Sequence, residues 1–403
     1  MGVATDFETR SSSWPLTRLD IAGAFGDVGV LFPIAIALIS LNGMNPTAVF
    51  LAAGLAYILA GAYFRVPIAV QPLKAVAAIA LALHLPPSSI AAAGLVMGIL
   101  LCLIGITNLA PLIARLFTLP IIRGIQLGLG LLLARGGIHL ILERKAGTAL
   151  AGIIPMSSLL LALGAAAILL AFHKSRRFPA ALVLLGAGLT LGIASHWRAL
   201  PSLDLGPLPL DFLHPQAGLL WSALVVLVVP QFALTFGNSI VATENTAEIL
   251  YGPQARRVTT RALSLSIGVM NLCAGTIQAA PMCHGSGGIT AHNKFGARSE
   301  KSSYVIGAVC LLFALCGHSA LGLLGLIPMT VLGVFLIYVG VQHASFVRDI
   351  VKNRVWLFIA IVIGLVALAT TNLTWGFLVG FVLQGLHLAY LKLRAKRAIP
   401  AAP

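Results

Sequence analysis

Residues 66–80, VPIAVQPLKAVAAIA, place two prolines, a glutamine and a lysine where a plain membrane helix would place Leu and Val. Pro67 and Pro72 each lack a backbone donor and push the residue before them toward an extended conformation. Pro72 suits the first position of a new helix. The pattern predicts an extended piece, Pro67–Gln71, then a helix opening at Pro72 and running through Lys74. A helix start carries unpaired N–H groups and the positive end of the helix dipole. At membrane depth such an end attracts anions.

Working outward, the chain is overwhelmingly apolar. Of 403 residues, 59% are hydrophobic and 9% charged, and the mean hydropathy is +1.00. A soluble domain carries roughly 25% charged residues, so this composition is that of a polytopic membrane protein. The first apolar segment is flanked by Asp20 and Asp27, contains Pro33 and lacks a cleavage site, so it is a span and not a signal peptide. The net charge of +15 is scattered over many loops, which argues against a nucleic-acid partner. Five cysteines form no CxxC pair, so neither a disulfide framework nor a zinc site is expected. There is no GxSxG, HExxH or Walker loop, so neither enzyme chemistry nor a cofactor is expected. Uphill transport would then draw on an ion gradient.

Fourteen apolar segments follow in order: 17–40, 46–63, 67–84, 88–109, 113–140, 155–172, 178–195, 217–243, 259–278, 281–293, 303–325, 328–343, 355–371 and 373–391. The third and tenth are short for a span of about 20 residues and rich in helix breakers. With both termini cytoplasmic, 21 of the 26 Lys and Arg fall on the inside. Arg135, Arg144, Lys145 and Arg198 fall outside, and Lys74 alone lies within a span. That asymmetry obeys the positive-inside rule.

The halves echo each other. Phe25-Gly26-Asp27 matches Phe236-Gly237-Asn238 at an offset of 211, Pro72 matches Pro281 at 209, and Pro120 matches Pro328 at 208. Seven spans per half is odd, so the second half is inverted, as in secondary transporters with broken helices at the midplane. The division is a tail 1–16, a first repeat 17–195, an extracytoplasmic linker 196–216, a second repeat 217–391 and a tail 392–403. The second break is TIQAAPMCHGSGGI, residues 276–289. Its glycines let backbone N–H groups approach a ligand, or let a tight kink pack on a neighbouring helix.

Several residues stand out as candidates. Lys74 costs about 2.5–3.5 kcal/mol at the centre of a membrane. It either pairs with Asp27 to fix the helices or adds positive potential at the anion site. Gln71 donates its amide to an oxyanion or satisfies broken backbone. In segment eight, Gln231, Thr235, Asn238 and Ser239 share one helical face by three-and-four spacing. Asn238 is the repeat counterpart of Asp27. Gln126 in segment five is helix–helix glue or a ligand contact. His284 lies in the second break and is suited to bind an anion or carry a coupling proton.

The motifs PIAVQPLKA, PQFALTFGNSIVA, APMCHGSGG, HNKFGARS and FGDVGVLFPIAIAL together resemble the molybdate transporter family, a branch of the sulfate-permease superfamily. The resemblance covers about residues 17 to 391. It implies an all-α membrane protein of fourteen spans in seven-plus-seven inverted repeats, the fold of sulfate and uracil permeases. Segments three and ten would meet as half-helices. Segments 1–4 and 8–11 would form a core, and segments 5–7 and 12–14 a gate. Sulfate permeases add a C-terminal regulatory domain, and the roughly twelve residues after segment fourteen leave no room for one, which fits the molybdate branch.

The resulting expectation is a secondary active importer of a tetrahedral oxyanion, molybdate first, in a plasma or inner membrane. Gln71 and the backbone after Pro72 would bind from one side, and Cys283, His284, Gly285 and Ser286 from the other. Thr235 and Asn238 would line the floor. Asp27, Lys74, Gln231 and Gln126 would supply charge, support or coupling. Sulfate is the alternative substrate, and tungstate an analogue. A nucleobase site would want a carboxylate where segment eight offers Asn238. An anion channel and a non-transporting sensor are the alternatives from other classes. Relatives of this fold suggest a homodimer.

Overall fold

The computed structural model describes residues 16–398 apart from 108, 110–111, 114–117, 143–148, 151–153, 156, 174, 176–179, 198–199 and 202–205. The N-terminal tail up to residue 15, and the loop cations Arg115, Arg144, Lys145, Lys174, Arg176, Arg177 and Arg198, lie outside the described residues.

The chain is almost entirely helical. In order, it runs α1 Arg18–Ala24, α2 Val28–Asn42, α3 Pro46–Phe64, β1 Gln71–Pro72, α4 Lys74–Leu83, α5 Pro87–Thr107, α6 Leu119–Leu142, β2 Ala149–Leu150, β3 Ile154–Pro155, α7 Ser158–Phe172 and α8 Ala180–Ser195. There follow α9 Ala217–Arg257, α10 Thr260–Thr276, β4 Met282–Cys283, α11 Ser286–Lys294, α12 Lys301–Leu315, α13 Gly317–Leu324, α14 Met329–Ser345, α15 Arg354–Thr370 and α16 Leu373–Ala398. Among the described residues, seven helical stretches are long and apolar enough to cross a membrane, or eight if α12 and α13, bent by 85°, form one span. Their outward faces are apolar: Leu59, Ile106, Leu142 and Leu386 are exposed. This is the pattern of a bundle solvated by lipid.

Packing is closest where small residues meet. Helix α6 lies against α14 through reciprocal glycines. A Cβ on Gly333 would fall 2.7 Å from the Gly137 carbonyl, and one on Gly340 would fall 2.6 Å from the Gly130 carbonyl. Backbone-to-backbone contact of this kind drives association where lipid and side chain are equally apolar. Helix α5 packs on α10, α3 on α12, and α15 on α6.

The two breaks meet at the centre. β1 pairs antiparallel with β4, Gln71 opposite Cys283 and Pro72 opposite Met282. Buried backbone must be hydrogen-bonded, and neighbouring helices do this from the side. Ser303 of α12 accepts from Ile68 N at 3.1 Å and donates to Ile68 O at 3.3 Å. Asn271 of α10 accepts from Met282 N at 2.7 Å and donates to Met282 O at 2.8 Å. The Leu73 N–H extends the pairing to the Pro281 carbonyl at 2.8 Å.

One boundary differs from the expectation. The first half-helix opens at Lys74, with Leu73 as its extended N-cap, and not at Pro72. Pro72 is drawn into the strand pair, where its missing N–H does no harm at this two-residue edge. The HNKFGARS motif finds a structural role. His292 bonds the Gly23 carbonyl at 2.8 Å, and Ser299 Oγ donates to Asp20 at 3.0 Å, docking the end of α11 on α1.

Candidate functional site

The N-termini of α4 and α11 follow directly from the strand pair. At α4, the first-turn N–H groups of Ala75 and Val76 both donate to Gln231 Oε1, at 2.8 and 3.3 Å. Gln231 is held in turn by donating Nε2 to Thr235 Oγ1 at 3.0 Å. The backbone donors expected to face an anion after Pro72 are therefore occupied by protein. Thr235 is wholly buried and positions Gln231; it does not form an open floor.

At α11 the arrangement is different. Gly285, the N-cap, has no side-chain bond to offer. Neither Ser286 N nor Gly287 N has a hydrogen-bond partner among the described residues. Gly287 is exposed. Ser286 Oγ donates to Asn238 Oδ1 at 2.9 Å, which leaves the two Asn238 Nδ2 hydrogens directed elsewhere. A Cβ on Gly285 would sit 2.8 Å from Gln71 Oε1 and 3.7 Å from Lys74 Nζ, so both side chains reach the helix start. Among the described residues no acceptor bonds Lys74 Nζ, and the one ion pair is Arg123–Asp349. An unpaired ammonium and two free backbone donors thus come together at Gly285–Ser286. Such a set has the chemistry to receive an anion.

The Asp27–Lys74 pair is not formed. Asp27 is fully buried, and its two oxygens accept from Tyr57 OH at 2.5 Å and from Gln71 Nε2. A carboxylate only accepts, so it fixes the Gln71 amide with nitrogen toward Asp27 and oxygen toward Gly285. Gln71 Oε1 is left buried without a donor. Gln71 therefore does not offer its N–H groups to a ligand here, contrary to the expectation. The glycines make room for this pair: a Cβ on Gly288 would lie 2.7 Å from both Asp27 Oδ1 and Gln71 Nε2.

His284 also points away from the helix start. Its ring is wholly buried. Nδ1 donates to the Ala69 carbonyl at 2.8 Å, so Nε2 accepts from Ser266 Oγ at 2.8 Å. It braces the first extended strand. Cys283 is buried opposite Gln71 in the strand pair. Gln126 is engaged by its neighbour Arg123 at 2.9 Å, which also pairs with Asp349 at 2.5 Å.

Segment eight is not one regular α-helix face. It contains π-helical runs at Leu224–Val228 and Thr235–Val241. Gln231, between the two runs, reaches the start of α4 and is held there by Thr235, whereas Asn238 reaches the start of α11. π-Turns of this kind recur at functional sites.

Sequence reasoning passed over Tyr57, Asn271, Ser303 and His343. Each is a polar group in an apolar segment, which is itself a signal. His343 of α14 and Lys74 of α4 line one cavity of about 10 Å³ with Ala78, Leu133, Phe335 and Val339. That is room for about one water.

Half-helices meeting across a strand pair in a lipid-facing bundle make an integral membrane protein of the SLC26 fold. Against SLC26A9 the TM-score is 0.65 at 16% identity, covering 93% of this chain and 65% of that one. Against the transmembrane domain of the cyanobacterial bicarbonate transporter BicA it is 0.63 at 18% identity, covering 91% and 96%. A family model described as "Molybdate transporter of MFS superfamily" matches residues 20–133 and 223–342, which include both breaks. The chain belongs to this molybdate transporter family, whose members are transporters and not enzymes. Molybdate transporter 2 of Arabidopsis thaliana is 29% identical, over 93% of this chain and 87% of that protein. Molybdate transporter 1 of Chlamydomonas reinhardtii is 28% identical, over 93% and 92%.

Proposed function

We propose that this protein is a secondary active transporter that imports a tetrahedral oxyanion, molybdate first, by alternating access. The observation that carries the reading is the start of α11, where Ser286 N, Gly287 N and Lys74 Nζ come together without an acceptor among the described residues. The names of the curated relatives supply the choice of molybdate.

The proposed topology is fourteen crossings in two inverted sets of seven, with both termini cytoplasmic, in a plasma or inner membrane. Segments 1–4 and 8–11 act as the core and segments 5–7 and 12–14 as the gate. The pairing of α3 with α12 and of α5 with α10, against α6 with α14 and α15, supports this division. The cavity between α4 and α14 takes about one water, so an oxyanion passing Lys74 requires the two sets to move apart.

The test is uptake of labelled molybdate into proteoliposomes, competed by tungstate and by sulfate. Saturable uptake, suppressed by tungstate and resistant to equimolar sulfate, is the expected result. Equal suppression by sulfate would make sulfate the substrate. Electrical currents far above carrier turnover would make the protein a channel, and binding without flux would make it a sensor.

A further inference from the structure

The cavity between α4 and α14 brings together two polar groups that the fold leaves unsatisfied. His343 of α14 is 9% exposed, and its Nδ1 is buried with no partner. Lys74 of α4 lines the same cavity, and among the described residues no acceptor bonds its Nζ. The other eight lining residues, Phe335 and Leu336 among them, are apolar. Polar groups buried without partners are costly. The volume of about 10 Å³ admits one water, and a buried water needs at least two polar partners. Lys74 and His343 are the two available. The ammonium favours the tautomer of His343 that carries its proton on Nε2 and turns the Nδ1 lone pair toward the charge.

Lys74 also answers to a second place. Its Nζ would lie 3.7 Å from a Cβ on Gly285, at the start of α11. An ammonium on a flexible four-carbon stem has three donors and can turn to either side. In the proposed division α4 belongs to the core and α14 to the gate.

We propose that His343 is a positioning residue. Through one bridging water its Nδ1 holds the Lys74 ammonium in the empty carrier and ties the core to the gate, until an oxyanion at α11 takes the ammonium away. A direct bond from an ammonium to a dianion is stronger than one relayed by water to a neutral nitrogen. The loaded site therefore wins Lys74, the bridge opens, and the core is released from the gate. The empty carrier stays tied. His343 acts through Lys74 and does not touch the oxyanion. This rests on the reading of α11 as the anion site.

The experiment is equilibrium binding of labelled molybdate to the purified full-length chain and its variants. His343→Leu removes the competing acceptor and should bind about three- to tenfold more tightly than the wild type, the net worth of one hydrogen bond. His343→Asn keeps an acceptor near the position of Nδ1 and should bind like the wild type. In a Lys74→Met background, His343→Leu should change affinity no further, because the partner it competes for is gone. Weaker binding by His343→Leu would make His343 a direct ligand and overturn the bridge, and so would unchanged binding. An equal gain in the Lys74→Met background would also overturn it, since the effect would then not pass through Lys74. Each of these outcomes leaves the anion site standing. Absence of molybdate binding by the wild type defeats the α11 reading and the bridge with it. Should a variant fail to fold, an experimental map of the wild type decides. Without an anion it should show a water between Lys74 Nζ and His343 Nδ1, lost on soaking in tungstate. Absence of that water, or its persistence beside bound tungstate, overturns the proposal.

Discussion

The two half-helices are built from the same parts and end in opposite conditions. Both follow a two-residue strand of one shared ladder, and both start with an extended N-cap that has no side-chain bond of its own. At α4 the gap is closed by Gln231, which comes from 156 positions away and engages two N–H groups. At α11 no side chain among the described residues closes it, and glycines replace side chains. The difference shows that a helix start at membrane depth is not by itself an anion site. On the proposed reading it becomes one only where the protein withholds its own acceptor and leaves a cation nearby, as Lys74 is left beside Gly285.

That contrast can be broken first at Gln231. Gln231→Leu strands two buried donors, each worth roughly 1–3 kcal/mol. Its melting temperature in detergent should fall by several degrees and uptake should be lost, whereas Gln231→Glu keeps an acceptor and should restore the melting temperature. A leucine variant that melts like the wild type would mean that α4 is not sealed this way.

Lys74→Met acts at the other end. Removing the ammonium should weaken dianion binding about 10- to 100-fold, the worth of a charge-assisted hydrogen bond. Melting temperature should hold or rise, since the lysine satisfies no acceptor in the fold. Unchanged affinity by isotope binding would remove Lys74 from the site.

Asn238→Ala and Ser286→Ala should each weaken binding about three- to tenfold. Because the two side chains share a hydrogen bond, the double variant should lose less than the product of the single losses. Strict multiplicativity would show that they do not act as one unit. Smallest of all, Thr235→Val should change affinity by about twofold or less, since Thr235 touches the site only through Gln231. A large loss would place its hydroxyl at the ligand.

Much of this was legible in the residues. Prolines at 67, 72 and 281 marked the breaks, the glycine run marked the helix start that stays open, and the charge count isolated Lys74 within a span. Both SLC26-type fold and family followed from those motifs. Local spacing shows where a helix must break and which face is polar. It does not show which distant side chain will meet that face. Gln231 reaching Ala75, Tyr57 reaching Asp27 and His284 reaching Ala69 are separated by 156, 30 and 215 positions. Each was decided by tertiary packing. The π-run at Thr235–Val241 was equally hidden, because its residues fit an α-helix as well. Pro72 was misplaced by two residues because a proline suits a strand edge and a helix start alike.

The most direct test is to locate the anion. Crystals or vitrified particles soaked in tungstate give a heavy-atom signal that needs no assumption about side chains. The tungsten should lie with its oxygens in hydrogen-bond reach of Ser286 N, Gly287 N and Lys74 Nζ, with Gln231 still bonded to Ala75 and Val76. A tungsten at the start of α4 with Gln231 displaced, or one away from both half-helices, would contradict the account.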